Sequence, residues 1–195
     1  MIGLDLDNTI VSYHRCFHVL ALERNGLPAT VRAEKNAVRQ FFREAGREDE
    51  WTELQGIAYG AGMGKAEAFK GALEFVRAAV ERGKKVKIIS HRTKHPIMGY
   101  KTDLHAAAME WLKATGFVGP GALSPEDVFF ETSKEAKMER IRAEGCAVFL
   151  DDLPEILASP LFPATVEGWL FDPNAEHTNG GRVVRDWDSF RRHVL

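Results

Sequence analysis

From residue 69 onward, the chain alternates short apolar runs with longer amphipathic stretches. Helical patterns separate four apolar runs of strand length, at 85–89, 127–130, 146–150 and 166–171. A short apolar run favours a buried strand, and an apolar face that recurs every three to four residues favours a helix. Strands that alternate with helices predict a parallel sheet with right-handed crossovers. With a further apolar run at the N-terminus, the pattern predicts an α/β fold: a Rossmann-like three-layer core around a parallel sheet of about five strands.

Residues 14–65 interrupt this alternation. They contain three successive helical patterns with no strand between them. Such a segment has its own apolar faces to bury, so we expect it to pack as a small helical layer. The predicted domains are therefore a core made of 1–13 and 66–195, and a helical insertion at 14–65.

The charge balance excludes several classes of partner. The 195-residue chain has 26 basic and 28 acidic residues, for a formal net charge of −2. From this balance we expect that the protein binds neither nucleic acid nor an anionic membrane. No apolar run is long enough to span a membrane. Two cysteines without metal-ligand spacing are typical of a reducing compartment, and two early aspartates argue against a signal peptide. We expect a cytoplasmic protein; nothing in the sequence predicts an oligomeric state.

Polar side chains that can do chemistry follow the predicted strands, at Asp5, Asp7, Ser90, Asp151 and Asp152. The carboxyl ends of parallel strands meet at one edge of the sheet, where ligands bind. Clustered carboxylates repel one another, and a hard cation such as Mg²⁺ relieves this repulsion. Mg²⁺ held by carboxylates indicates in turn a phosphorylated substrate. Each feature alone has a simpler interpretation, since aspartate and asparagine are common turn residues.

These motifs resemble those of the haloacid dehalogenase (HAD) superfamily of aspartate-nucleophile phosphotransferases. Three segments match the first, second and fourth motifs of that family, namely 5–9, 88–90 and 149–152. The third motif is a lysine ahead of the fourth, and both Lys134 and Lys137 qualify. We prefer Lys137, because Ile141 follows it by one helical turn. The resemblance implies a HAD-like core and makes the insertion similar to the family's type 1 helical cap.

The resemblance also implies catalytic and metal-binding roles. Asp5 would be the nucleophile that forms an aspartyl-phosphate, and Asp7 would be the general acid and then the general base. The metal is expected to be Mg²⁺, held at the acidic positions Asp5, Asp7, Asp151 and Asp152, with Asp7 acting through its backbone carbonyl. Thr9 would brace the turn of the first motif.

Ser90 and Lys137 would bind the phosphoryl oxygens of the substrate. His91 and Arg92 follow Ser90, and this basic loop is predicted to bind a second anionic group of the substrate. On that interpretation, Arg92→Ala raises KM much more than it lowers kcat; a solvated polar loop is the alternative. A type 1 cap closes over small substrates, so the expected partner is a small phosphorylated metabolite.

Asp7 separates branches of the family. The dehalogenases of this family lack the second aspartate and its ion pumps carry threonine there, so an acid implies phosphatase or phosphomutase chemistry. We expect a phosphatase, a hydrolase of phosphomonoesters. A phosphomutase or phosphotransferase shares every motif and stays an alternative. So does a non-catalytic ligand-binding protein with the same fold. A carbon–phosphorus hydrolase would require a cap lysine, for which Lys35 and Lys65 are candidates.

Overall fold

The computed structural model describes residues 1–177 and 181–195. These residues form two compact units. The first consists of Met1–Ile10, Ala68–Arg92 and Lys113–Leu195, and the second consists of Val11–Glu67 and Thr93–Leu112. The second unit thus holds the predicted insertion 14–65 together with 93–112, a segment that the sequence pattern assigned to the core. The assignment of 14–65 as a cap domain remains a prediction.

The described strands are, in chain order, β1 (Ile2–Leu4), β2 (Val11–Ser12), β3 (Glu67–Ala68), β4 (Val86–His91), β5 (Val128–Glu131), β6 (Val148–Asp151), β7 (Glu167–Phe171) and β8 (Arg182–Val184). Six of them form a parallel sheet in the order β5-β4-β1-β6-β7-β8. The α/β fold and the five predicted strands are confirmed. The sixth strand, β8, was not predicted, because Arg182–Val184 contains only two apolar residues and gives no recognisable apolar run.

The described α-helices are α1 (His14–Asn25), α2 (Lys35–Glu44), α3 (Glu48–Ala58), α4 (Ala72–Glu81), α5 (Leu104–Ala114), α6 (Lys134–Ala143), α7 (Pro154–Leu157) and α8 (Trp187–Val194). Among the described residues, no helix combines the length and the apolar character that crossing a membrane requires.

Helices cover both faces of the sheet. Ile89 of β4 and Phe149 of β6 share a buried cluster with Ile141 of α6, so α6 packs on their face. Successive strand residues point to opposite faces. Trp169 of β7 is the register partner of the residue after Phe149 and therefore points to the other face. There its ring packs on Phe190 of α8, with 6.0 Å between the ring centroids. These contacts give the predicted three layers.

The start of α6 differs by one residue from the sequence prediction. Thr132, with Glu135 three residues on, predicts a capping box. In the structure Ser133 is the N-cap residue, and its hydroxyl accepts a hydrogen bond from the Ala136 amide at 3.1 Å. Ser133 is the last residue with extended backbone, so its side chain rather than that of Thr132 reaches the open amides of the first turn. This start places Lys137 in the first turns of the helix.

Helices α1, α2 and α3 of the second unit pack through aromatic rings. Phe17 of α1 stacks on Trp51 of α3 with centroids 4.8 Å apart, and Phe42 of α2 lies 6.3 Å from the same indole. The prediction of three consecutive helices is confirmed. Pro28 and Thr30 predict a start of the second helix near residue 30. In the structure α2 starts at Lys35, because residues 30–34 form turns and bends.

Candidate active site

Two carboxylates lie side by side where β1 and β6 end. The Asp5 amide donates to the Leu150 carbonyl at 2.9 Å, which continues the pairing of the two strands past β1. Strand alternation then points Asp5 and Asp151 to the face that Gly3 and Phe149 occupy, which is the α6 side. A Cβ on Gly3 would lie only 2.5 Å from the Phe149 ring, so glycine is needed there. Both carboxylates are buried.

Lys137 of α6 joins these two carboxylates. Its Nζ donates to Asp5 Oδ1 and to Asp151 Oδ2, each at 2.6 Å, and its side chain is 2% exposed. Burial alone would lower the pKa of Lys137, but the two carboxylates outweigh burial and raise it above its ordinary value, so the lysine stays charged. Lys134, the other candidate, is more exposed and pairs with Glu155 at 3.4 Å. Of the two lysines, Lys137 is the one at the carboxylates.

Burial raises the pKa of Asp5 to about 7. Lys137 opposes this rise, while the neighbouring carboxylates of Asp151 and Asp7 add to it. Ionisation of Asp5 in the folded protein therefore costs free energy unless further positive charge lies nearby.

This raised pKa predicts how the metal-free protein responds to pH. The folded-state pKa of Asp5 lies above its ordinary value of 3.8, so the folded protein holds a proton that the unfolded chain releases between about pH 4 and 7. The free energy of unfolding therefore falls across this window as pH rises, by a few kcal/mol from Asp5 alone. In EDTA, Asp5→Asn should raise the free energy of unfolding relative to wild type more at about pH 7.5 than at about pH 4.5.

Urea unfolding at the two pH values measures this difference. Glu81→Gln, which removes an exposed carboxylate of α4, is the control and should leave the pH dependence unchanged. An identical pH dependence in wild type and Asp5→Asn would contradict the prediction.

Three carboxylates of this site can offer oxygens to one cation. Asp5, Asp151 and Asp152 each have a ligand oxygen within 4.8 Å of the others. Asp151 Oδ1 also accepts a hydrogen bond from the Leu153 amide at 2.9 Å, which fixes its direction. An all-oxygen, largely buried set of carboxylates fits a hard divalent cation such as Mg²⁺. The carboxylate of Asp7 is not in this group of described residues; its predicted part in metal binding is through its backbone carbonyl and stays a prediction.

A small pocket of about 80 Å³ opens beside these carboxylates, lined by Asp5, Asp7, Asn8, Ser90, His91, Lys137, Asp152, Leu153 and Ile156. Ser90 is 1% exposed, and its hydroxyl has no hydrogen-bond partner among the described residues. Because a buried polar group without a partner is costly, this hydroxyl is suited to a ligand atom. The volume of this pocket is far below the ~300–1,000 Å³ of pockets that enclose whole small molecules.

The two residues after Ser90, which the sequence predicts to form a basic loop, differ in their surroundings and contacts. Burial, and then the nearby Lys137, lower the pKa of His91, so it lines the pocket as a neutral imidazole at neutral pH. Arg92 is buried, and its Nη1 donates to both carboxylate oxygens of Asp7, at 3.0 and 3.3 Å. Sequence reasoning missed this pair, because no spacing rule joins residues 7 and 92.

Several hydrogen bonds and one left-handed residue stabilise the turn of the first motif. Asn8 has a left-handed φ of +61°, a conformation that asparagine tolerates better than most residues. The Ile10 amide donates to the Leu6 carbonyl at 3.0 Å, which closes the turn. The Thr9 carbonyl accepts a hydrogen bond from Trp187 Nε1 at 3.2 Å, and Thr9 is fully buried. The backbone of Thr9 is thus tied to the distant helix α8, and the bracing role that the family resemblance implies for Thr9 stays a prediction.

Lys35 and Lys65, the two lysines considered for carbon–phosphorus chemistry, have partners within the second unit. Lys35 Nζ donates to the Tyr59 hydroxyl at 3.0 Å. Lys65 Nζ pairs with the Glu23 carboxylate at 2.9 Å.

Comparison with known proteins gives a consistent fold. No family model and no curated protein matches the chain. Among solved structures, the putative HAD-hydrolase YfnB from Bacillus subtilis, bound to magnesium, is 13% identical with a TM-score of 0.59, over 99% of this chain and 97% of that one. A HAD-superfamily hydrolase of subfamily IA from Geobacter sulfurreducens is 12% identical with a TM-score of 0.60, over 100% and 95%. A HAD phosphatase from Thermococcus onnurineus is 13% identical with a TM-score of 0.54, over 99% and 96%. The chain therefore has the fold of the haloacid dehalogenase superfamily, the family that its sequence motifs resemble.

Proposed function

We propose that this protein is a Mg²⁺-dependent phosphatase that hydrolyses a small phosphomonoester through an aspartyl-phosphate on Asp5. The observation that carries the proposal is the charged Lys137, which bridges Asp5 and Asp151 beside the buried hydroxyl of Ser90. A nucleophilic carboxylate, a cation and a hydroxyl donor in one small pocket match the needs of phosphoryl transfer. Structures of the same fold described as a phosphatase and as a magnesium-bound hydrolase support it.

In the first step, an oxygen of Asp5 attacks phosphorus and the bond from phosphorus to the ester oxygen breaks. Asp7 lines the same pocket and would give its proton to the departing oxygen. Lys137 and Ser90 would hold the phosphoryl oxygens, so that negative charge is compensated as the group moves.

In the second step, a water oxygen attacks the phosphorus of the aspartyl-phosphate. Asp7 takes a proton from this water, the bond from phosphorus to the Asp5 oxygen breaks, and inorganic phosphate and the Asp5 carboxylate are released. Forming a covalent intermediate divides one difficult displacement into two easier ones. The two steps return both aspartates to their starting protonation states.

Asp5, Asp151 and Asp152 would hold the magnesium ion. When bound, the ion supplies positive charge that favours the ionised form of Asp5 and neutralises phosphoryl oxygens. The pKa of Asp5 is raised, and the nucleophile must be ionised to attack. The positive charge of the ion would therefore favour the reactive form of Asp5.

The pocket volume supports a division between the phosphoryl group and the rest of the substrate. About 80 Å³ is small for a pocket that would enclose a whole phosphorylated metabolite. We propose that this pocket selects for phosphomonoesters and that the organic part of a small metabolite is recognised outside it.

Removal and return of the metal tests the proposal. Phosphate release from p-nitrophenyl phosphate should fall to background in EDTA and return with added Mg²⁺. Rapid acid quenching during turnover should leave one phosphoryl group on the peptide that contains Asp5, detected by mass spectrometry. Release of phosphate without metal, or a phosphoryl group on another residue, would contradict the proposal. Transfer to a sugar hydroxyl faster than to water would identify a phosphotransferase instead.

A further inference from the structure

We propose that Arg92 is a positioning residue for Asp7: its buried guanidinium fixes the Asp7 carboxylate in the orientation from which it exchanges a proton with the leaving oxygen and with water. This inference rests on the proposed phosphatase function. It replaces the expectation that Arg92 binds a second anionic group of the substrate, and it gives the opposite kinetic signature.

The side chains of Arg92 and Asp7 differ in solvent exposure, and this difference indicates different roles. Arg92 has a side chain that is 3% exposed, whereas the side chain of Asp7 is 20% exposed. Asp7 is among the described residues that line the pocket, and Arg92 is not. A substrate in the pocket therefore meets the carboxylate, and the guanidinium acts on the substrate through that carboxylate.

The backbone of Arg92 is anchored independently of Asp7. Its amide donates to the Glu131 carbonyl of β5 at 2.8 Å, one residue beyond the register pair of His91 and Glu131. The Glu131 side chain is itself held by Arg140 at 2.8 Å. A side chain that starts from a fixed strand end and is buried along its length can hold a partner within the narrow range of geometry that proton transfer needs.

The hydrogen-bond pattern suits both halves of the reaction. One nitrogen, Nη1, donates to Asp7 Oδ1 at 3.0 Å and to Oδ2 at 3.3 Å. A protonated carboxyl keeps one oxygen that accepts a hydrogen bond, so the guanidinium can hold Asp7 whether or not the other oxygen bears a proton. Without Arg92, the carboxylate loses both of these hydrogen bonds and spends less time in the reactive rotamer.

Leaving-group dependence provides a readout that a purely structural role would not change. Phenyl phosphate and p-nitrophenyl phosphate are similar in size, but phenolate is much more basic and depends more on a proton from Asp7. We expect Arg92→Met to lower kcat/KM for phenyl phosphate at least about 10-fold more than for p-nitrophenyl phosphate, as part of the ~10²–10⁴-fold that general acid catalysis contributes. Asp7→Asn should give the same bias, and KM should change little in either variant.

A double-mutant cycle shows whether Arg92 acts through Asp7. In the Asp7→Asn background, adding Arg92→Met should change kcat/KM for phenyl phosphate by less than about 2-fold, because residues that act as one unit are not additive. Arg142→Met, at an exposed arginine of α6, is the matched control and should leave the ratio of the two substrates unchanged. Arg92→Lys covers the case in which loss of the buried charge prevents Arg92→Met from folding, and should show the same bias more weakly.

Each result of this cycle is decisive. An equal loss on both substrates, a loss that persists in the Asp7→Asn background, or a large rise in KM with kcat retained would overturn the positioning role while leaving the phosphatase function intact. Absence of Mg²⁺-dependent turnover of either ester by the wild-type protein would instead overturn the proposed function, and the positioning role with it.

Discussion

Asp5→Asn is expected to lower kcat for phosphate release by at least about 10⁴-fold, down to the background of the assay. The asparagine amide has the size of the carboxylate but cannot attack phosphorus, and it also removes one of the three carboxylates that can hold the metal. The loss should be the same for p-nitrophenyl phosphate and for metabolite esters, because it removes the nucleophile and not a substrate contact. No phosphoryl group should remain on the protein after acid quenching.

The control for this prediction is Asp188→Asn, at an exposed aspartate of α8, purified in the same way. It should retain wild-type activity, and loss of activity in Asp5→Asn purified in the same way excludes a contaminating phosphatase as the source of turnover. Full activity in Asp5→Asn would contradict the proposed mechanism.

Lys137→Met is expected to have the second largest effect, with a loss in kcat of about 10²–10³-fold and a loss of stability in the metal-free protein. The lysine is the counter-charge that contacts two buried carboxylates at 2.6 Å. Removing one partner of a buried ion pair costs about 3–5 kcal/mol, because the remaining charge is left uncompensated. Added Mg²⁺ should restore more stability to Lys137→Met than to wild type, since the ion can replace part of the missing charge.

Lys134→Met is the matched control, three residues earlier on the same helix. Its exposed pair with Glu155 should contribute less than about 1 kcal/mol, and kcat should stay within about 2-fold of wild type. Urea unfolding with EDTA or with Mg²⁺, together with phosphate release, measures both effects. A larger loss in Lys134→Met than in Lys137→Met would reverse the assignment of the third motif.

The sheet and the acidic edge were predictable because they depend on local patterns. An apolar run that ends in a carboxylate predicts a strand and also shows which end of it carries the functional group. Because the strands are parallel, Asp5 and Asp151 are expected to lie at the same edge of the sheet. Lys137 was preferred from its position relative to Ile141, and the structure brings it to both carboxylates. These predictions need only strand order and helical period.

The contacts that sequence patterns did not reveal are long-range and specific to side chains. The pair of Arg92 and Asp7 joins residues 85 positions apart, and a buried arginine looks the same in sequence as a solvated one. The cap of α6 at Ser133 in place of Thr132 was missed for a different reason. Two hydroxyl residues stand next to each other, and only the backbone conformation decides which of them caps the helix.

The hydrogen bond from Trp187 to the Thr9 carbonyl has a consequence for how the protein is made. It joins the turn that carries Asp7 to a helix translated 178 residues later. A nascent chain presents Asp5 and Asp7 early, but it cannot close their turn onto α8 until residues 187–194 have left the ribosome. Contacts at such sequence separation form late because the long loop must first be closed. Packing of the turn that carries Asp7 onto α8 thus depends on a contact that forms late in folding.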